Sequence, residues 1–338
     1  MLVFGFSLDT TTPYHLGLSS IHQRQQFLRT TTFLPSVAVP VGGDDVLTSH
    51  DDNNNDNNNN NNNNSSKNSN PALFHTVQGV VCREVTNELP VIGTVAVLEA
   101  TADSQEDLVN ECLELEEEEE FEIGVDVAEG DPYGAVLWPA AWAVSNYMLS
   151  RPDLRDNLNS LSIVELGTGT GLVSISVAMG GAKRVIATDY EPLALALTRY
   201  AADNINSSSS SRIETQLLDL CDLEQQPLPV QGIDIVCAAD IMYEPKTGVA
   251  MAHRAVEALR NNCRVIIGDS PGRAGRPAFL DTLNELGVEG AEFQETIGKT
   301  CSGPRNDLIC GKGSTSVSDT PQELSVALLD LKPNMLKG

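Results

Sequence analysis

Val164-Glu165-Leu166-Gly167-Thr168-Gly169-Thr170-Gly171 ends a short β-type run, SIVELG, and opens directly onto a helical pattern, LVSISVAMGG. A glycine-rich turn from a buried strand into a helix lets backbone N–H groups approach a ligand closely. From Asp131 onward the chain keeps one texture on both sides of this turn. RVIATD, TQLLDL, IDIVCAAD and RVIIGD are further short apolar runs, and 171–180, 191–206, 246–260 and 276–286 carry helical patterns. Strand–helix alternation at this spacing predicts an α/β fold: a Rossmann-like, doubly wound, mostly parallel sheet with helices on both faces. The five serines Ser207–Ser211 fall between the 191–206 helix and the next strand and read as an inserted loop.

The spacing within the turn narrows its ligand. A dinucleotide-binding turn follows G-x-G-x-x-G, which would put its third glycine at Leu172; the order here is E-x-G-x-G-x-G. Glu165, two residues before Gly167, is awkward beside a pyrophosphate and useful beside a cation. S-adenosylmethionine, with its sulfonium and α-ammonium, is a cofactor of that kind. RVIAT ends in Asp189, twenty residues after Gly169, where an acid accepts both ribose hydroxyls of an adenosyl group, as it would those of NAD. TQLLDL leads to Asp219, placed to accept from the adenine amino group. The alternative for each acid is an ordinary loop-start cap. Three of them on successive strand ends instead mark the crevice where open α/β sheets bind ligands.

Toward the N-terminus the texture breaks. Residues 1–43 hold one acid, Asp9, two arginines (Arg24 and Arg29), and many Ser and Thr. That composition is compatible with an organellar, mitochondrial transit peptide, and an untidy cytoplasmic N-terminus is the alternative. Residues 51–70 form an Asn tract with no apolar face, so 1–71 is expected to be disordered. Ala72 to Leu98 turns apolar and β-branched and reads as two or three strands. An acidic stretch follows, densest in LELEEEEEFE from Leu113 to Glu122. It reads as a solvated, partly disordered insertion or as a docking surface for a basic partner. The expected division is a disordered segment 1–71, a β-rich and acidic extension 72–130, and the α/β domain 131–338.

Composition excludes several functions. Acids outnumber bases 47 to 21, a formal charge of −26, so the chain lacks the Lys and Arg needed to displace counterions from nucleic acid. No apolar run approaches the ~20 residues of a membrane span, so a soluble protein is expected. The seven cysteines form no CxxC pair, which argues against a zinc ribbon or redox dithiol and for a reducing, intracellular compartment. Of five histidines only His253 lies beyond residue 130, so neither a His base nor a multi-His metal site is expected.

Four stretches resemble the seven-β-strand S-adenosylmethionine-dependent methyltransferases, and within them the protein-lysine methyltransferase branch. DPYGAVLWPAAWAVSNYML (131–149) is similar to that branch's pre-motif helix, VELGTGTG (164–171) to its first motif, VIATDYEPLALALTRYAADNI (185–205) to its second strand and helix, and AADIMYEP (238–245) to its Asp-x-x-Tyr signature. A fifth, IGDSPGRAGRPAF (267–279), resembles a Gly-Asp-Pro-Gly-Arg segment of the lysine methyltransferases of the electron transfer flavoprotein β-subunit, with Ser270 inserted. The resemblance covers about 130–300. It implies a seven-stranded sheet and S-adenosyl-L-methionine as cofactor, bound by Trp138, Glu165, Gly167, Thr168, Gly169, Asp189, Asp219, Leu220 and Ala239. Relatives often have an aromatic residue where Leu220 stands, so adenine would pack here on an aliphatic surface.

The same resemblance implies a catalytic pair, Asp240 and Tyr243. A free lysine has a pKa near ~10.4 and is mostly protonated at pH 7, and a nearby carboxylate raises that value. Asp240 is therefore expected to orient the incoming amine while its proton leaves to water, and Tyr243 to narrow the channel. The alternative is that Asp240 caps the helix that follows. Asp269 with Arg273 and Arg276 reads as a substrate-facing loop or a local ion pair. The implied partner is a protein bearing a lysine, a flavoprotein subunit by analogy, with no nucleic acid or membrane and a monomer as working assumption. Small-molecule N- or O-methylation on the same fold is the first alternative, and a non-catalytic, cofactor-binding assembly factor the second.

Overall fold

The apolar runs flanking the glycine turn lie side by side. The computed structural model describes residues 73–123, 132–300 and 322–337, so the expected disordered segment 1–71 falls outside the described residues. Ser162–Leu166 (β4) pairs in parallel with Arg184–Asp189 (β5) on one side and Ile235–Ala239 (β7) on the other, with Glu165 opposite Ala187 and Cys237. Ile213–Leu217 (β6) extends the sheet beyond β5, and Arg264–Asp269 (β8) extends it beyond β7. Gln322–Leu331 (β10) runs antiparallel to both β8 and the edge strand Gln294–Thr300 (β9). The order β6-β5-β4-β7-β8-β10-β9 reverses direction of winding at β4, which places a crevice at the carboxyl ends of β4 and β7.

Every residue of β4 is buried, as expected of a strand covered on both faces. One cover holds Pro139–Ser150 (α2), Leu172–Met179 (α3) and Pro192–Tyr200 (α4), whose Val144, Met148, Val173, Ile175 and Leu197 join Ile163 and Val185 in one core. The other holds Pro245–Arg260 (α5) and Gly275–Glu285 (α6), with Met251, Leu259, Phe279 and Leu283 against Val164, Val236 and Ile267.

The N-terminal extension folds as the antiparallel sheet Phe74–Val77 (β1), Val80–Leu89 (β2) and Gly93–Ala100 (β3). Its Val85, Val95 and Val97 belong to the same core as α2 and α3. Asn206 fastens it by donating to the Ala96 carbonyl at 2.7 Å and accepting from the Ala96 N–H.

Four local expectations need correction. The densest part of the acidic stretch, expected to be partly disordered, is helical: Leu113–Glu122 lies within the helix Ala102–Ile123 (α1), because straight-chain Glu is a good helix former. The stretch beyond residue 123 falls outside the described residues. The serine run is one helical turn, Ser207–Ser210, rather than a loop; Ser209 donates to the Asn206 carbonyl from inside the core. The helix expected to reach 206 leaves α geometry at Tyr200 and ends in a π turn, Ala201–Ile205. β6 stops at Leu217, two residues short of Asp219, where Asp219 bonds its own loop instead of a neighbouring strand.

Candidate functional site

Gly167, Gly169 and Gly171 all take positive φ, +65°, +52° and +85°, the region that costs glycine least. At Gly167 space adds to conformation, since a Cβ would stand 2.6 Å from Ile241 Cγ2. The turn so formed is internally bonded: Thr168 N–H donates to the Thr188 carbonyl at 2.9 Å, Gly169 N–H to Asp189 Oδ2 at 3.0 Å, and Gly171 N–H to the Thr168 carbonyl at 2.8 Å. A phosphate-binding loop presents open N–H groups; here three are committed.

Glu165 and Asp189 are the acids of this turn. Glu165, 1% exposed, accepts on Oε2 from Thr168 Oγ1 (2.9 Å), from Ser174 N–H (2.9 Å) and from the Ser174 hydroxyl. Burial pushes its carboxyl up to about 7, Ser174 and Thr168 pull it down, and the charge of Asp189 adds to the rise. Asp189 accepts from Gly169 N–H on one oxygen and Glu191 N–H on the other. A carboxylate offers about four lone-pair directions, so hydroxyls in the crevice can still be received. Leu218 N–H bonds the Asp189 carbonyl at 2.9 Å and ties the Asp219 loop to it.

Asp219 accepts from Cys221 N–H at 2.8 Å, and Leu220 is half-buried against the second core. Both are positioned by a residue the sequence reading missed. Arg254, fully buried on α5, donates to the carbonyls of Leu220 (3.1 Å), Asp219 (3.2 Å) and Asp222 (2.8 Å) and to Glu257. Its signal is present: Arg254 sits three residues after Met251 and four before Ala258, on the apolar stripe of that helix. A charge on such a stripe needs partners inside the protein.

Asp240 follows β7, with Ala239 half-buried ahead of it against Ala140, Ala143 and Val326. Its φ is +58°, uncommon for a residue with a side chain. Its Oδ2 accepts Ala140 N–H at 3.0 Å and its Oδ1 accepts Ser270 N–H at 2.7 Å. It therefore caps α2, a hundred residues earlier, and not the following helix, whose N-cap is Glu244. Arg273 Nη2 lies 3.4 Å from Asp240 Oδ1, and its guanidinium stands 4.6 Å from the centre of the Trp138 ring. Trp138 donates from its indole to the Tyr133 carbonyl.

Among the described residues Asp269 forms its ion pair with Arg276: Nε meets Oδ2 at 2.7 Å while Nη2 bonds the Asp269 and Ser270 carbonyls. Burial raises the Asp269 carboxyl to about 7 despite that guanidinium. Tyr243, 39% exposed, sits on the turn between β7 and α5.

The structure thus brings Glu165, Gly167, Thr168, Gly169 and Asp189 into one bonded cluster, with Asp219 and Leu220 tied to it through Leu218. It gathers Trp138, Asp240 and Arg273 into a second cluster at the adjacent strand end. The first fits an adenosyl cofactor bearing positive charge better than a pyrophosphate: three of its N–H groups are already bonded, and two carboxyl side chains, Glu165 and Asp189, stand where a pyrophosphate would bring further negative charge.

Comparison with known proteins agrees. The sequence profile of a family described as "Lysine methyltransferase" matches residues 116–285, half of the chain. The chain is 30% identical over 182 residues to the human electron transfer flavoprotein beta subunit lysine methyltransferase, covering 51% of this chain and 63% of that protein. It is 39% identical over 156 residues to the rat protein of the same name, 44% and 53% of the two chains. A mouse protein-lysine methyltransferase, METTL21E, is 34% identical over 126 residues, 35% and 49% of the two chains. The matches span less than two thirds of the length of each of these three relatives. Among solved structures, precorrin 8w decarboxylase of Methanobacterium thermoautotrophicum aligns at TM-score 0.39 and 19% identity over 58% of this chain and 92% of that one. The fold rests on the strand order and not on that likeness.

Proposed function

This chain belongs to the lysine methyltransferase family, and from that premise we propose that it transfers a methyl group from S-adenosyl-L-methionine to the side-chain amine of a lysine in a protein. One observation carries the reading: a carboxylate-rich, internally bonded glycine turn at the end of β4 stands beside a buried carboxylate and an aromatic face at the end of β7. When bound, S-adenosylmethionine supplies an electrophilic methyl group. Asp189 would receive the ribose hydroxyls, Glu165 would offer negative charge to the cationic end, Gly167, Thr168 and Gly169 would form the floor, and Asp219, Leu220 and Ala239 would complete the wall, with Trp138 where that wall meets the acceptor side.

Asp240 and Tyr243 handle the acceptor. A carboxylate stabilises ammonium and so disfavours loss of its proton; Asp240 positions the amine, and the proton leaves to water. Its two backbone N–H bonds hold it in one orientation, and alignment of the reacting atoms is the larger contribution a protein makes to a displacement of this kind. Tyr243, at the rim, lines the approach of the lysine side chain.

The proposed domain division keeps 72–130 as an extension and 131–338 as the methyltransferase domain. The relatives named for the electron transfer flavoprotein beta subunit make such a subunit the first acceptor to try. Mitochondrial targeting is proposed on the composition of residues 1–43; among the described residues no helix is long and apolar enough to cross a membrane. The test of function incubates the purified chain with methyl-labelled S-adenosylmethionine and fractionated cell extract. A discrete labelled protein, labelled on lysine by mass spectrometry and unlabelled with Asp240→Ala, is the expected result. Label confined to small molecules would overturn protein methylation.

A further inference from the structure

We infer that Arg273 is a resident cation in the acceptor seat, occupying the place of the substrate ammonium and moving aside when a lysine enters. The inference rests on the lysine-methylation reading above and deepens it. A carboxylate and an aromatic face are the partners that hold an alkylammonium. At the end of β7 those partners are Asp240 and Trp138, and both are engaged by the Arg273 guanidinium, at 3.4 Å and 4.6 Å. Two cations sharing one carboxylate repel each other, so the incoming amine and Arg273 compete.

The way Arg273 is held sets it apart from the other arginines of this region. Arg276 makes three hydrogen bonds and Arg254 four. The Arg273 guanidinium makes none among the described residues, and its Nε is buried without a hydrogen-bond partner. A buried donor left unbonded is costly, so this cation is retained by charge and a ring face and is the one most easily displaced. The loop is pinned at Ser270 N–H to Asp240 and at Gly275 N–H to the Met242 carbonyl (3.0 Å). Between the pins Gly272, at φ +78°, has nothing within 4 Å of where a Cβ would stand, and the Arg273 carbonyl accepts from Arg276 N–H of α6 at 3.4 Å, so Arg273 leaves the seat by rotation of its side chain into the open space over Gly272 while its backbone stays in place.

The experiment reads the seat directly and then in turnover. The chain has two tryptophans, Trp138 and Trp142, so Trp142→Phe leaves Trp138 as sole indole reporter for a titration with n-butylammonium. A seat occupied nine-tenths of the time by Arg273 would bind about tenfold tighter once vacated, so Arg273→Gln should tighten butylammonium binding by roughly that factor, and Arg273→Lys, which keeps the charge, should bind as weakly as the parent. In turnover Arg273→Gln should lower KM for the lysine-bearing acceptor while cofactor affinity by calorimetry stays the same. Unchanged or weaker butylammonium binding, or a raised KM, overturns the inference. Arg273→Met, uncharged and still able to pack on Trp138, gives the same readings should the Gln variant unfold. A parent chain that methylates no lysine would instead sink the functional reading, while the butylammonium comparison still decides who occupies the seat.

Discussion

The two halves of the sheet's carboxyl edge hold their acids by different means. At the ends of β4 and β5, Glu165 and Asp189 take hydroxyl and backbone N–H donors. At the ends of β7 and β8, Asp240 and Asp269 each face a guanidinium, in the case of Asp240 in addition to two backbone N–H donors. Dipolar donors fix a carboxyl in place without bringing an opposite formal charge, whereas a guanidinium brings one. The β4 side is therefore suited to a cationic cofactor, and the β7 side to a cation that can be exchanged.

Removing Asp240 should have the largest effect. It leaves Ala140 N–H and Ser270 N–H unpaired in the interior and strips Arg273 of its counter-ion, so Asp240→Ala should cost about 3–5 kcal/mol by urea denaturation and lower methyl transfer by about 100-fold or more through lost alignment. Cofactor affinity should change little. A variant as stable and active as the parent would abolish the distinction between the halves. Arg254→Ala comes next: it frees three half-buried carbonyls of the Asp219 loop, and a loss of about 2–4 kcal/mol in stability is expected, accompanied by weaker cofactor binding. Binding unchanged at constant fold would detach that loop from the adenine side.

Asp189→Ala should weaken S-adenosylmethionine by about 1–3 kcal/mol, read by calorimetry; equal affinity would remove the ribose assignment. The smallest effect is a change of slope. The Glu165 carboxyl is held at about 7 against an ordinary 4.5, so the native state keeps a proton that the unfolded chain releases. The stability this contributes is complete below 4.5 and is lost as pH rises through 7. Glu165→Gln should flatten the fall in unfolding midpoint between pH 5 and 8. The cofactor should also bind the parent more tightly above pH 7, where Glu165 is ionised, and Glu165→Gln should lose that rise.

The parallel sheet was legible because its inner strands are buried on both faces and so read as predominantly apolar runs, as in IVCAA. The glycine turn was legible because its φ values demand glycine. The acids at the ends of β4 and β5 were visible as types at positions. The bonds they make were not, because Ser174 is brought to Glu165 and Gly169 to Asp189 by chain reversal, as Ala140 is to Asp240 at the end of β7, and no local spacing encodes that approach.

Sequence by itself determined the α/β class, the strand and helix succession, the glycine turn and the chemistry of its acids, since each depends on neighbours within a few residues. Tertiary structure alone decided that Asp240 caps a helix a hundred residues away, that Arg273 pairs with Asp240 while Arg276 takes Asp269, that Arg254 holds the Asp219 loop, and that the N-terminal sheet shares the core of α2 and α3. A carboxylate or guanidinium drawn into the interior must find whatever partner the packing leaves within about 3 Å, and that partner is set by how the layers meet.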